Sequence, residues 1–113
     1  MSVKLLSLKK NEDFKTLLKG RKLSNKYLTI FFKNLSDKSS KSLNISFVAK
    51  KKLGNAVKRN KIKRRLKNIM NDATKKININ LEYCYLLIAK NSVLNDPYKN
   101  IKKTLFGDFE KIK

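Results

Sequence analysis

The side chains of this chain that are best suited to chemistry are cations clustered in one short segment. Between residues 53 and 67 the sequence carries seven of them: Lys58, Arg59, Lys61, Lys63, Arg64, Arg65 and Lys67. No acidic residue occurs from residue 38 to residue 71. Guanidinium groups bind phosphate oxygens through paired hydrogen bonds, and ammonium groups act as point charges. These residue types therefore point to recognition of a phosphate-bearing polyanion.

The spacing of these cations is unfavourable for a helix with a purely structural role. Like charges at the spacing of Arg59 and Lys63 repel by roughly 0.2–0.5 kcal/mol in isolated helices. Three of the four arginines of the chain also fall in this segment, which general enrichment in lysine does not explain. A solvated charged face is the alternative, but the missing acids and the arginine enrichment favour binding of nucleic acid.

The overall composition supports an anionic partner and excludes several other classes of protein. The 113 residues carry 29 Lys+Arg against 8 Asp+Glu, a net charge of +21, which suits nucleic acid best and an anionic membrane surface second. With no His and a single Cys, a structural zinc site and a disulfide framework are excluded, and Cys84 is expected to be an inert core thiol. No signal peptide or membrane-spanning run is present, so we expect a cytoplasmic protein with no membrane partner.

The sequence contains no recognisable catalytic constellation. Its eight acidic residues are scattered, His is absent, and no paired carboxylates or activated nucleophile can be identified. Neither of the glycine-rich phosphate-binding motifs occurs. If the chain serves an enzyme, we expect another component to be the catalyst, and we predict no cofactor or metal bound by this protein alone.

Periodicity and turn signals predict three helices and three strands in the order α-β-β-α-β-α. The first helix is expected to have Asn11 as its N-cap and to stop at Gly20. Alternating apolar residues predict strands at residues 27–33 and 43–49, with a polar loop at residues 36–40 between them.

The second half of the chain begins with a long helix. Asn55 is expected to cap this helix, which runs from Ala56 to about Thr74. Residues 83–89 are apolar on both faces and predict a central strand. Asp96 is expected to cap the last helix. Together these elements predict a small α/β sandwich in one domain that spans residues 1–113.

The long helix is predicted to have two distinct stripes. The core stripe comprises Ile62, Leu66, Ile69 and Ala73. The polar stripe, about a third of a turn away, comprises Ala56, Arg59, Asn60, Lys63, Arg64 and Lys67. Asn60 could read a base edge or a 2′-hydroxyl, or it could simply face solvent. One stripe would hold the helix to the sheet while the other presents cations.

Three aromatic residues, Phe14, Tyr27 and Phe31, are candidates for a surface on which unpaired bases stack. Their spacing also fits buried core positions, which it favours. The residues alone leave both interpretations open.

The central run Ala56-Val57-Lys58-Arg59-Asn60-Lys61-Ile62-Lys63-Arg64 resembles the RNR signature of the bacterial ribonuclease P protein family. The preceding Lys51-Lys52-Leu53-Gly54-Asn55 is similar to that family's lead-in to the helix. Asn11-Glu12-Asp13-Phe14 resembles the start of its first helix, and Leu86-Leu87-Ile88-Ala89-Lys90 resembles its third strand. The similarity extends over nearly the whole chain.

The resemblance implies an α/β sandwich like the second domain of ribosomal protein S5. It implies a protein that binds a large catalytic RNA and assists it in removing the 5′ leader of precursor tRNA. The active site would then lie in the RNA, which requires Mg²⁺. The partners would be the catalytic RNA and precursor tRNA, with no obligate protein partner.

The resemblance also assigns two sets of contact residues. Contacts with the catalytic RNA fall on Lys52, Arg59, Asn60, Lys63, Arg64 and Lys67. The single-stranded leader would lie in a cleft between the first helix and the sheet, formed by Phe14, Leu18, Tyr27, Phe31 and Ser46. Leu18 stands where the family commonly has Phe.

Three alternatives share part of this pattern. A ribosomal or other structural RNA-binding protein would have the same charge and fold class. A small DNA-binding protein would need base-reading residues at the start of its helix, where only Asn60 could serve. A self-sufficient nuclease would need catalytic groups, which the chain lacks.

Overall fold

The computed structural model describes residues 3–35 and 41–112, so the predicted polar loop at residues 36–40 lies outside the described residues. In chain order the elements are β1 (Leu5–Leu6), α1 (Asn11–Leu18), β2 (Arg21–Ser24), β3 (Leu28–Asn34), β4 (Leu43–Val48), a 3-10 turn (Lys51–Leu53), α2 (Ala56–Lys76), β5 (Tyr83–Ala89), α3 (Ser92–Asn95) and α4 (Tyr98–Lys111). No helix in these ranges is long and apolar enough to cross a membrane.

The five strands form one mixed sheet in the order β1-β4-β5-β3-β2. The strand predicted at residues 83–89 is confirmed as β5, and it lies at the centre as expected. β4 and β5 are parallel and are joined by α2, whereas β3 runs antiparallel to β5 and β2 antiparallel to β3. The α/β class is therefore confirmed. The sequence patterns missed β1, β2 and α3, because two to four residues are too few to show a period.

Helices α2 and α4 cover one face of the sheet and form the main core with it. The predicted core stripe of α2 is confirmed, since all four of its side chains are fully buried. The apolar face of α4 is buried as well, through Ile101, Leu105 and Phe109. Each such side chain contributes about 1.5–3 kcal/mol when removed from water. This burial sets the rotation of α2 about its own axis.

Helix α1 lies on the opposite face of the sheet and covers only part of it. Leu17 packs there with Leu8, Cys84 and Leu86 in a second, smaller cluster, so Cys84 is a buried thiol as expected. Other side chains of this face, among them Phe31, remain only half-buried. The partial cover leaves an open stretch of sheet beside α1.

The starts of the helices confirm one predicted N-cap and correct two. The Asn55 side chain accepts a hydrogen bond from the Lys58 N–H at 2.9 Å, as predicted for the start of α2. Asn11 is the first residue of α1 and not its cap. Pro97 occupies the cap position of α4, because the Asp96 carboxylate instead accepts hydrogen bonds from Lys26 and Tyr27.

Candidate nucleic-acid interface

The polar stripe of α2 faces away from the main core, as its position on the helix predicts. Asn60, Lys63, Arg64 and Lys67 are exposed, whereas Arg59 is half-buried. The Arg59 Nε atom is shielded from water and has no hydrogen-bond partner among the described residues. Buried donors of this kind usually have a hydrogen-bond partner. The Arg59 guanidinium therefore has a free donor for an acceptor on a ligand once its side chain reorients.

Four residues of this stripe line one wall of an open cavity of about 660 Å³. They are Asn60, Lys63, Arg64 and Lys67. Phe14 from α1 and Ser46 from β4 line the same cavity. The structure therefore brings together residues that the sequence assigned to two separate functions, and an anion held by α2 would lie beside an aromatic ring.

The N-terminal segment forms a further wall of this cavity. The Leu8 N–H donates to the Ser46 hydroxyl at 2.8 Å, and Ser7 and Leu8 line the cavity. β1 pairs with only Leu43 and Asn44 of β4, so the described residues place no strand beside the rest of that edge. No signal in the sequence identified the Ser7–Leu8 wall, because it depends on a contact between distant parts of the chain.

The open sheet face continues from the cavity toward β3. Ser46 lies beside Leu86, which in turn lies beside Phe31 in the register of the three strands. Phe31 packs half-buried against the smaller cluster together with Phe14. It therefore shares the face with the cavity but does not line it. Leu18 is 49% exposed on α1 and also lies outside the cavity lining.

Lys52 lies in a neighbouring hollow of about 310 Å³. The hollow is also lined by Lys50, Lys90, Thr29 and Ile88. Because Val48 pairs with Ile88 and Ile88 with Thr29, this hollow adjoins the same sheet face as the cavity. Lys52 thus adds charge beyond the cavity and is separate from the polar stripe of α2.

Tyr27 does not belong to the cleft, which corrects its assignment. Its ring is only 4% exposed and packs in the main core. Its hydroxyl donates to the Asp96 carboxylate at 2.7 Å, and this hydrogen bond raises the pKa of Tyr27. Hydrogen bonds from Lys26 and Tyr27 lower the pKa of Asp96 in turn. Alternation with Thr29 and Phe31 predicts that Tyr27 lies on the cleft face of the sheet. Tyr27 precedes the first residue of β3, so its side chain does not follow this alternation.

Arg65 has a structural role although it belongs to the same run of cations. Its Nη1 donates to the carbonyl oxygens of Val93 at 2.8 Å and Asp96 at 3.2 Å. It therefore ties α2 to the segment that leads into α4. The predicted polar stripe left Arg65 out, in agreement with this position.

Arg65→Ala is expected to lower the free energy of unfolding by about 1–3 kcal/mol, because two partly buried carbonyl groups lose a charged donor. The salt dependence of nucleic-acid binding at the candidate interface should stay unchanged. Denaturant unfolding and nucleic-acid binding across a salt series measure the two effects. A flatter salt dependence at unchanged stability would place Arg65 in the interface instead.

The donor groups at this site do not suit a metal ion. Mg²⁺ requires oxygen ligands, usually carboxylates. The cavity is lined by cations, hydroxyl groups, the amide of Asn60 and apolar side chains, with no carboxylate. Within the described ranges, no three His, Cys, Asp or Glu residues come together as a metal site. The residues present therefore fit an anion and not a divalent cation.

Comparisons with known proteins agree with the fold. The family model described as Ribonuclease P matches residues 3–113. The ribonuclease P protein component of Listeria monocytogenes is 32% identical over 99 residues, covering 87% of this chain and 80% of that protein. That of Bacillus pumilus is 32% identical over 105 residues, covering 92% and 85%.

Two solved structures extend the comparison to three dimensions. The RNase P protein of Staphylococcus aureus superposes with a TM-score of 0.75 at 28% identity, covering 94% of this chain and 93% of that one. The RNase P protein of Thermotoga maritima gives a TM-score of 0.78 at 21% identity, covering 96% and 98%, a likeness of fold alone.

Proposed function

This chain belongs to the ribonuclease P protein family, and from that membership we propose that it assists a catalytic RNA in cutting the 5′ leader from precursor tRNA. As a ribonuclease P component the chain takes part in tRNA processing. We further propose that the chain acts in the cytoplasm as one RNA-binding domain. It would contact both the catalytic RNA and the precursor tRNA, through the residues described below. The single observation that carries this proposal is the cavity that the polar stripe of α2 lines together with Phe14 and Ser46.

The polar stripe is proposed to bind the phosphate backbone of the catalytic RNA. Arg59, Lys63, Arg64 and Lys67 supply the charge, and Asn60 supplies both a donor and an acceptor. Lys52 adds a further cation beside the same sheet face. Burial of the core stripe fixes the backbone of α2, so the helix itself need not become ordered when RNA binds. The protein would thereby neutralise phosphates where RNA segments converge.

The cavity is proposed to take the single-stranded leader of the substrate. Phe14 offers an aromatic ring to an unstacked base, and the cations of α2 that line the same cavity bind its phosphates. Phe31 lies beside the cavity on the same face of the sheet, and Leu18 lies on the exposed side of α1. Mature tRNA has no leader, so this contact would favour the precursor over the product.

The chemical step is proposed to occur in the RNA subunit. The interface offers cations and hydroxyl groups, which bind and orient phosphates, but no carboxylate pair or imidazole that could move a proton. Mg²⁺ supplies the hydrolytic chemistry in an RNA-based enzyme when bound there. This chain's residues would bind the catalytic RNA and the precursor tRNA and orient the leader.

Phe14→Leu is expected to narrow the affinity gap between precursor and mature tRNA by about 1–3 kcal/mol, the usual contribution of one stacked base. Leucine keeps the apolar contact with the smaller cluster but removes the aromatic face. Equilibrium binding of both tRNAs to the reconstituted holoenzyme measures the gap.

Lys15→Ala is the control for this substitution. Lys15 is exposed on the same helix, lies outside the cavity lining and is not assigned a leader contact, so the affinity gap should remain. Equal weakening of precursor and mature tRNA by Phe14→Leu would show that Phe14 acts through packing alone.

A further inference from the structure

A second cationic hollow lies at the opposite end of α1 from Phe14. Its volume is about 400 Å³. It is lined by Lys19, Gly20 and Arg21 at the α1–β2 turn, by Phe32, Lys33 and Asn34 at the end of β3, and by Tyr83 at the start of β5. None of these residues belongs to the cavity described above.

Gly20 permits the close packing that forms this hollow. A Cβ atom at Gly20 would lie 2.9 Å from the Phe32 carbonyl oxygen and 3.1 Å from the Lys33 Cβ. Any larger residue would therefore push the turn away from β3. The close approach brings Lys19 and Arg21 to the same hollow as Lys33.

The hollow has an aromatic wall as well as charge. The rings of Phe32 and Tyr83 meet edge to face, with centroids 5.4 Å apart. The Arg21 guanidinium lies 5.1 Å from the centre of the Phe32 ring. Phe32 is buried, whereas Tyr83 is half-buried, and both residues line the hollow. Aromatic surface beside cations is the combination that binds single-stranded nucleic acid.

The charge of the lining is entirely positive. Lys19, Arg21 and Lys33 are all exposed, and no acidic residue lines the hollow. Glu82 precedes Tyr83 in the chain and is exposed, but it is not part of the lining. Three cations against no anion at this concave place favour a ligand that carries phosphate.

The hollow is spatially separate from the interface on α2. β2 forms one end of the strand order, and β5 and β3 lie between it and β4. At a spacing of about 4.8 Å per strand, β2 is roughly 14 Å from β4 along the sheet. The hollow and the cavity are therefore two places on the surface that share no lining residue.

We infer that this hollow is a second RNA contact that takes a nucleotide of single-stranded RNA. The phosphate binds Lys19, Arg21 and Lys33, and the base lies against Tyr83. The inference rests on the proposed function, which brings two large RNAs to this protein. It adds that one of them reaches the β2 end of the sheet.

The first test compares two triple variants of the full chain. Lys19→Ala/Arg21→Ala/Lys33→Ala removes the charge of the hollow. The control, Lys99→Ala/Lys103→Ala/Lys111→Ala, removes the same charge from exposed positions of α4. Binding of the catalytic RNA with precursor tRNA is measured across a salt series. The slope of log affinity against log salt should flatten by about 0.7 in the first variant, the change expected for one single-strand phosphate contact, and far less in the control.

A direct titration of the unmodified chain needs no variant. Six-residue oligouridine should shift the ring resonances of Tyr83, and inorganic phosphate at the same concentration should not. Equal slopes in the two triple variants, or equal shifts with phosphate and oligouridine, would overturn the inference. Arg59→Ala/Arg64→Ala in the same salt series reports on the proposed function. If the slope flattens in Arg59→Ala/Arg64→Ala but not in Lys19→Ala/Arg21→Ala/Lys33→Ala, the inference about the hollow is rejected and the proposed function stands. If the slope does not change in Arg59→Ala/Arg64→Ala, the proposed function is rejected.

Discussion

Replacing Arg59 and Arg64 together by alanine is expected to weaken binding of the catalytic RNA by about 100-fold or more. Each hydrogen bond to a charged group contributes about 1.5–3 kcal/mol, and 1.4 kcal/mol corresponds to about tenfold in affinity. Both residues lie on the polar stripe of α2, and Arg64 lines the cavity. The salt dependence should flatten by about two units, at roughly 0.9 per phosphate contact. Equilibrium binding across a salt series measures both effects.

The control for this variant is Lys99→Ala/Lys103→Ala, which removes equal charge from exposed positions of α4. It should change affinity only slightly, since it alters the net charge but not the interface. If the two double variants weakened binding equally, total charge would explain the affinity and the arrangement of the stripe would not matter.

Leu66→Ala is expected to lower the free energy of unfolding by about 2–5 kcal/mol. Leu66 is fully buried in the core stripe, and truncation leaves a cavity between α2 and the sheet. Small domains are stable by only about 5–15 kcal/mol, so this loss is large. Denaturant unfolding monitored by circular dichroism measures it.

The neighbouring substitution Lys67→Ala is the natural comparison. Lys67 is exposed, so its stability should stay within about 0.5 kcal/mol of the unmodified chain, while its salt dependence of RNA binding flattens by about one unit. Of these two adjacent residues, Leu66 would then contribute to stability and Lys67 to RNA binding. A large loss of stability in Lys67→Ala would contradict the division of α2 into two stripes.

The features that the sequence predicted correctly are those set by short-range periodicity. The core and polar stripes of α2 follow from about 100° of rotation per residue, and the same rotation separates Arg65 from Arg64. The central position of β5 follows from apolar residues on both of its faces. Asn55 was recognised as a cap because its side chain acts three residues away.

The features that the sequence did not predict depend on long-range contacts. Asp96 has the chemistry of a cap, but Lys26 and Tyr27 are brought to it by folding and take its carboxylate. Tyr27 and Phe31 are four residues apart and would lie on one face of a regular strand. Tyr27 instead packs in the main core, whereas Phe31 packs against the smaller cluster. The shared cavity requires α1, β4 and α2 to converge, and the Leu8–Ser46 hydrogen bond joins residues far apart in the chain.

The family resemblance supplied what periodicity could not. It predicts a cleft between α1 and the sheet. Phe14 and Ser46 line one cavity together with the cations of α2, while Leu18 and Phe31 lie outside its lining.

The most direct test of the central claim is a processing assay. The full chain is added to the catalytic RNA of its own organism at low Mg²⁺, and release of the 5′ leader from precursor tRNA is measured. The expected result is strong stimulation of cleavage by the unmodified chain and little by Arg59→Ala/Arg64→Ala. Absence of stimulation by the unmodified chain, with correctly folded RNA, would contradict the proposed function.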